Sequence, residues 1–463
     1  YRLTKHFHSS LSLTASQPHT SHLTPLFNFE WNTKHQNNPS TMTIRLKELS
    51  SQQPPIFRIN LSHPPEERYT ALAHLYKDRM RSVTSIFDDV IHNLSPKIPT
   101  KPIHWLARLF LRRLYTDEET AEIHGISRVT GIDLYLLISL NVVLDLLMGC
   151  TSGGVRMLDG LWTRMVHFRT LDWGMDPLRS LIVQLEFVRD DEPDTVLATC
   201  ITYVGFVGIL TGVRKDLSVS LNFRAVHDTR RDVGFYFNYL LVLLGLRQSI
   251  TSLLRQFVLP MQGGSTRLSN TSTLEEILHE VPFLRTTAAY LIFCDGRSIV
   301  AMEKDYGTAF WRRSSSFLIK TNHDEDTTSV MDEAIANDRG YTGLRVADGM
   351  QSMAEIIEES KARQASMQGK WDRRVRDHGV FQQQLKRRRV KDDTLPRSMH
   401  LKWKRNTKMG WEDPESEVSV TLGTVLGWLC SDPIVNEDTH YAVLMDPVEG
   451  RFIYSGQFPA KVA

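Results

Sequence analysis

At Gly149 the periodicity of the chain changes, and this limits the fold more than any other feature of the sequence. Upstream, Pro54 to Leu61 alternates apolar and polar residues after a proline pair, as a strand does. Ser62 to Arg68 then carries the prolines and acids of a first helical turn, with helix continuing to about Leu94. Ile103 to Tyr115 reads as a second, amphipathic helix and Asp117 to Gly131 as a third, with Gly125 and Gly131 as breaks or caps. Downstream, short apolar runs separated by turn residues predict strands at Arg164 to Phe168, Leu181 to Val188, Thr195 to Tyr203, Gly208 to Leu210 and Leu217 to Phe223. A long amphipathic helix over Phe235 to Leu259 and a short one over Leu274 to Val281 intervene. Strand-like runs resume at Ala288 to Phe293, Ile299 to Glu303, Ala309 to Arg312 and Phe317 to Thr321. Val418 to Leu429, Thr439 to Met445 and Arg451 to Tyr454 restore helix and strands. The order predicts an α+β layered sandwich rather than a repeating βαβ sheet.

With 463 residues the chain has room for about three domains of ~150 residues, or for one large layered domain with insertions. Its 41% hydrophobic and 23% charged content excludes a wholly disordered, collagen-like or polytopic membrane chain. No uncharged apolar run reaches the ~18 residues of a membrane span; the nearest, Leu134 to Met148, contains Asp145. Cys150, Cys200, Cys294 and Cys430 contain no CxxC pair and do not form a disulfide framework. The net charge of +2 is uneven: Lys361 to Lys408 holds 16 Lys or Arg against 4 Asp or Glu, a local +12 on a mildly acidic body. Such a segment either attracts anionic lipid headgroups or nucleic acid, or is a solvated insertion loop, and the loop is the expectation. Residues 1–53, rich in Ser, Thr, His and Asn and beginning with Tyr, lack the apolar core of a secretory signal. They are expected to be a poorly ordered or mis-assigned extension, with Met42 a candidate initiator.

Tests for GxGxxG after a strand, a Walker loop, HExxH, GxSxG and a paired-cysteine zinc site are negative. What stands out is Gly149-Cys150-Thr151-Ser152, at the junction of the helical and strand-rich regions. A cysteine there is ordinarily a small buried hydrophobe. Its surroundings suggest more. Phe168 to Gly174 includes Arg169 and Asp172 at the end of a strand-like run, and a reactive thiol needs both a cation nearby and a carboxylate to orient its proton acceptor. Asn222 and Asn322 close two further runs, and an Asn so placed can donate to an oxyanion.

These blocks, in this order, resemble the acid ceramidases, in the group they share with N-acylethanolamine-hydrolysing acid amidase, within the N-terminal nucleophile hydrolases. The resemblance runs from about Pro54 to Tyr454. It is carried by Pro54-Pro55, Pro64 to Arg68, Glu118-Glu119, Glu122 to Ser127, Thr130 to Ile132, Asn141, Cys150 to Ser152, Arg169 to Asp172, Glu303 to Asp305, Thr321 to His323, Pro433 to Asn436 and Thr439 to Tyr441. It implies a four-layer αββα sandwich preceded by a mostly helical smaller subunit over residues 54–149. The catalytic subunit, residues 150–463, would begin at the nucleophile and carry a basic insertion at about 361–408. Cys150 would be the nucleophile, released when the chain cuts itself between Gly149 and Cys150. Arg169 and Asp172 would flank and orient it, Asn322 would stabilise the oxyanion, and Arg339, in Asn337-Asp338-Arg339, would be a further arginine. Gly153-Gly154 and Thr170-Leu171 depart from the family's usual residues, which bears on acyl-chain or headgroup preference.

The implied activity is ceramide hydrolysis to fatty acid and sphingoid base through a cysteine thioester. The alternatives are N-acylethanolamine hydrolysis and a non-catalytic lipid- or membrane-binding relative. No metal or organic cofactor is implied, and nucleic acid is not an expected partner. The partners are a lipid amide, peripheral membrane contact and the two cleavage fragments held to each other. Trp105, Phe110, Tyr239, Leu243 and Phe257, on the predicted helices, either line an acyl groove, rest on a membrane or form ordinary core faces. His323 and His440 are expected to be structural. A lysosomal, vacuolar or secreted location is implied by resemblance, without a signal peptide in this sequence to support it.

Overall fold

The segment ahead of Gly149 supplies an edge to a sheet that the rest of the chain builds. A computed structural model describes residues 51–88, 99–143, 149–224, 232–260, 268–324, 353–391 and 418–460. Strand β1 (Ile56–Asn60) runs parallel to β4 (Ile182–Val188), pairing Ile56 with Gln184 through Asn60 with Val188. Residues 64–69 form turns, with Glu67 N bonded to Pro64 O at 2.9 Å, so helix α1 starts at Thr70 rather than at the prolines and ends at Ser82. Helix α2 covers Thr100–Phe110 and α3 Asp117–Thr130. Thr116 caps α3 by accepting the Glu119 N–H, three acids follow in the first turn, and Gly131 closes it at φ 70°. Gly125 is neither break nor cap: it lies inside α3 where a Cβ would meet Glu66 O at 2.0 Å, so only glycine lets the two backbones touch. Helix α4 (Leu134–Val143) leads toward the junction.

Beyond it, β1, β4, β5 (Ala198–Tyr203), β6 (Thr211–Arg214), β7 (Leu217–Phe223), β8 (Ala289–Cys294), β9 (Ile299–Lys304) and β10 (Ala309–Ser314) form one sheet in that order. The run at Gly208 to Leu210 is irregular, and the strand begins at Thr211. A second sheet has the order β11 (Phe317–Lys320), β2 (Gly149–Asp159), β3 (Trp162–Asp172), β12 (Thr439–Asp446), β13 (Arg451–Gln457). Strands β2 and β3 of the second sheet face β7 and β8 of the first, while β12 and β13 face β6.

The predicted helix over Phe235 to Leu259 is two helices, α5 (Asp232–Leu243) and α6 (Ile250–Val258). Gly245, at φ +66°, breaks them where Arg113 O would meet a Cβ at 2.6 Å, and Ser249 caps α6. Helix α6 packs outside the first sheet on β6 and β7, and α7 (Leu274–Glu280) follows. Outside the second sheet lie α8 (Met353–Lys391) and α9 (Leu422–Leu429). Helix, sheet, sheet and helix make the four layers that were expected. The basic stretch is, as far as Lys391, part of a continuous helix about 58 Å long and not an insertion loop. Trp371 of α8 stacks on Phe317 at 5.1 Å within a core that also holds Phe168, Met367 and Leu429.

A buried charge cluster ties the helices before Gly149 to those after it. The carboxylate of Glu122 on α3 accepts two bonds from Arg255 on α6, at 2.5 and 2.7 Å, and one from Arg68 at 3.0 Å. Arg68 also pairs with Glu118. Asn141 on α4 adds a bond to Gly205 O at 2.8 Å and accepts one from Val207 N at 2.8 Å. Residues 1–50, including Met42, and residues 392–417 lie outside the described residues.

Candidate active site

Successive side chains of a strand point to opposite faces of its sheet, and β2 uses both faces at the site. Cys150 and Ser152 point toward the first sheet, where Ser152 Oγ donates to Asn222 Oδ1 at 2.6 Å and Cys150 Sγ lies 3.8 Å from Leu221 O. On β3, Arg169 sits opposite Ser152 and points the same way. Its Nη1 donates to Leu221 O and to Asn222 Oδ1 at 3.2 Å, and its Nη2 lies 3.3 Å from Cys150 Sγ. Asp172, three residues on, faces the other side and lies opposite Gly149. Thr439 Oγ1 donates to Asp172 Oδ1 at 2.7 Å, and Asp172 Oδ2 faces Arg363 Nε of α8 at 3.7 Å. Arg169 and Asp172 thus lie at the Gly149–Cys150 step on opposite faces of the sheet.

Asn322 completes the set. Its Oδ1 accepts the Cys150 N–H at 2.7 Å and a bond from Arg363 Nη2 at 3.0 Å, while its Nδ2 donates to Phe223 O at 2.8 Å. Two donors on one end and a carbonyl at the other fix which way the amide points. In this arrangement the oxygen, not the N–H expected as an oxyanion donor, is turned to Cys150. The wall beyond Asn322 is made by the Arg224–Asp324 pair, at 2.7 and 3.0 Å, and by Lys320 paired with Glu303.

Burial dominates the electrostatics. It pushes the Cys150 thiol above the usual cysteine range, with the Arg169 charge opposing. It also lifts the Asp172 carboxyl to about 6, opposed first by Arg363 and then by the Thr439 hydrogen bond. The thiol is thus neutral at rest and needs a base. Three histidines in this region have other partners. His167 lies between Ser218 and Ser220 at 3.0 and 2.8 Å and is pushed down to about 3 by burial. His323 Nδ1 is 2.8 Å from Ser360 Oγ, and His440 Nδ1 is 2.7 Å from Tyr203 Oη, each with its pKa lowered by burial.

The sequence expectations thus converge at Cys150, Arg169, Asp172 and Asn322, while Arg339 lies outside the described residues. Arg363 and Ser360 are at the site and were not anticipated. Their signal was present, because Ile357, Ser360, Arg363, Met367 and Trp371 recur at helical spacing, but the charge excess around them suggested a loop. Gly153 and Gly154 are closely packed: a Cβ on Gly153 would meet Leu318 O at 2.1 Å, and one on Gly154 would meet Ile299 at 2.9 Å. Of the residues proposed for lipid contact, Phe257 belongs to the core, whereas Trp105 and Phe110 of α2 are exposed; Tyr236 and Phe237 of α5 are exposed as well. Among the described residues no group of three or more His, Cys, Asp or Glu could hold a metal ion, and no helix is long and apolar enough to cross a membrane.

Comparison with known proteins points to one group. Residues 52–115 match the family model of the beta subunit of N-acylethanolamine-hydrolyzing acid amidase. The chain is 28% identical to an N-acylethanolamine-hydrolyzing acid amidase of Caenorhabditis elegans over 184 residues, 37% of this chain and 49% of that protein. It is 30% identical to the acid ceramidase of Mus musculus over 191 residues, 37% of this chain and 45% of that protein. The chain spans about half the length of the curated relatives it matches. A solved structure of a Caenorhabditis elegans ortholog of N-acylethanolamine-hydrolyzing acid amidase aligns over 65% of this chain and 93% of that one, with 16% identity and a TM-score of 0.37.

Proposed function

From the premise that this chain is a relative of the acid ceramidases and the N-acylethanolamine-hydrolyzing acid amidases, we propose that it hydrolyses the amide of an N-acyl lipid with Cys150 as nucleophile. The observation that carries this reading is the pairing of Arg169 Nη2 with Cys150 Sγ at 3.3 Å, in a site where the Cys150 nitrogen is itself held by Asn322. A buried thiol beside a fixed guanidinium is stabilised as thiolate once a base takes its proton. None of the three histidines above touches it. Cutting the chain between Gly149 and Cys150 supplies the base, because a free α-amine has an ordinary pKa of about 7.7–8.0 and sits on the same residue.

The reaction then proceeds in two halves. Cys150 Sγ bonds to the amide carbonyl carbon, its proton passes to the α-amine, and the Arg169 charge faces the sulfur as the tetrahedral oxyanion forms. The C–N bond breaks, the proton moves to the leaving amine, and a thioester remains. Water adds to the thioester, the C–S bond breaks, and the fatty acid leaves with the thiol regenerated. Asp172, anchored by Thr439, carries the compensating negative charge next to the new chain end. Since the thiol is wholly buried in the uncut chain, substrate access to it requires a rearrangement of the site after the cut.

Ceramide is the first substrate of this proposal. N-acylethanolamine is the alternative, supported by the match of residues 52–115, since both present the same amide to Cys150. Exposed Trp105, Phe110, Tyr236 and Phe237 are the proposed contact with a lipid surface. Purified protein assayed against both lipids in mixed micelles at acidic and neutral pH is expected to release fatty acid, with turnover lost by at least about 1000-fold in Cys150→Ala. Release undiminished in Cys150→Ala overturns the nucleophile. Lipid binding without any release points to the non-catalytic alternative.

A further inference from the structure

We propose that Arg363 and Ser360, on the third and second turns of α8, are positioning residues for this reaction: together they hold Asn322 with its amide oxygen toward the Cys150 nitrogen, and Arg363 supplies the positive charge that Asp172 faces. This rests on the lipid-amidase reading and adds to it two residues from a stretch whose composition resembles a solvated loop.

Helix α8 is fixed at this depth by its own packing. Ile357, Ser360, Arg363, Met367 and Trp371 are each at most 4% exposed and follow one helical stripe. Lys370 Nζ bonds Ser431 Oγ at 2.6 Å and Arg374 Nε bonds Ser419 O at 3.0 Å, tying the helix to the segments around α9. From this platform Ser360 Oγ accepts the Asn322 backbone N–H at 2.7 Å, and Arg363 Nη2 donates to the Asn322 side chain at 3.0 Å. Backbone and side chain of one residue are thus held by adjacent turns of one helix, which fixes both its place and its rotation.

Arg363 also lies against the bond to be cut. Its Nη2 is 3.8 Å from the point where a Cβ on Gly149 would sit, an ordinary contact distance that places the guanidinium next to that residue. Its Nε and Asp172 Oδ2 face each other at 3.7 Å, both buried and without a hydrogen bond at those atoms. Charge acts across such a gap where hydrogen-bond geometry does not. The groups facing Asp172 are Arg363 from α8, Arg169 from β3 and Asp438 from the turn before β12, with Thr439 donating; those facing Cys150 are Arg169, Asp172 and Arg363. Arg363 is the cation opposing the burial of Asp172 most strongly.

The sign of its effect on turnover follows. Removing the Arg363 charge favours protonated Asp172, and it also removes a repulsion that keeps the α-amine of Cys150 unprotonated. Both changes move the acid limb of the pH–rate profile to higher pH. A tether that merely held α8 to the sheet would lower the rate at every pH alike.

The experiment compares Arg363→Gln, Arg363→Lys and Ser360→Ala in the full chain. Arg363→Gln is expected to shift the acid limb of kcat/KM upward by about one pH unit. Arg363→Lys is expected to return the limb to its place while kcat stays about tenfold low, since one ammonium cannot reproduce the fork that meets Asn322 and Asp172. Ser360→Ala is expected to lower kcat about fivefold with KM unchanged. A second measurement does not depend on turnover: in the uncut Cys150→Ala chain, the loss of melting temperature caused by Arg363→Gln is expected to be larger at pH 8 than at pH 4, and the difference to vanish when Asp172→Asn is added. An unmoved acid limb, or a loss of melting temperature independent of pH and of Asp172, overturns the proposal. If the unmutated protein hydrolyses no lipid amide the functional reading fails by itself, and the melts still decide whether Arg363 acts on Asp172 through charge.

Discussion

Arg169 and Asp172 are three residues apart on a strand, and that odd spacing decides what each can do. Arg169 reaches the sulfur from the face turned to the first sheet, whereas Asp172 turns to α8 and meets Thr439 and Arg363. The residue types were legible in the sequence because the proposed thiol nucleophile needs them. The division of labour was not, since it depends on where β3 begins and ends. Asn322 illustrates the same limit: its position was readable, but its amide orientation is set by Cys150, Arg363 and Phe223 from three separate segments. Asp172 carries a pH prediction. Its carboxyl titrates at about 6 when folded against an ordinary 3.8, so the folded chain binds this proton more tightly than the unfolded one. The contribution therefore favours folding below pH 4 and is lost as pH rises through 6. In the uncut Cys150→Ala chain, Asp172→Asn is expected to remove on the order of 3 kcal/mol of this pH-dependent loss, read from denaturant melts at pH 4, 5, 6 and 7. Equal slopes with and without Asp172 would contradict the assignment.

At the scale of elements, apolar periodicity predicted most strands after Gly149 to within a few residues, because buried strands in a layered sandwich carry continuous apolar runs whatever their neighbours. It failed where tertiary contact sets the boundary. The helix read over Phe235 to Leu259 breaks at Gly245, whose φ of +66° no right-handed helix continues through and whose missing Cβ makes room for the Arg113 backbone, and α1 starts late because residues 64–69 turn beneath α3. Helix α8 was missed for a different reason: its charged residues outnumber the five that bury, so composition outweighed periodicity. The cluster of Glu122, Arg255 and Arg68 makes a prediction at this scale. Removing one partner leaves buried charge without compensation, at a cost of roughly 3–5 kcal/mol. Glu122→Ala is thus expected to lower stability by that amount in urea titration, whereas a change under 1 kcal/mol would mean that the cluster is hydrated and contributes little.

For the whole molecule, the layer order was legible and the joining of its two parts was not. The segment before Gly149 gives the first sheet its edge strand β1, seats Glu122 against Arg255 and bonds Asn141 to the chain around Gly205. These contacts cross the proposed cut without using the peptide bond between Gly149 and Cys150. Severing that bond should therefore leave one folded particle of two chains. The most direct test is mass spectrometry of the purified protein under native and then denaturing conditions. One native species that separates on denaturation into two polypeptides, the larger beginning at Cys150, is the predicted result, with only the intact chain in Cys150→Ala. A single uncut polypeptide that hydrolyses lipid amide at full rate contradicts it.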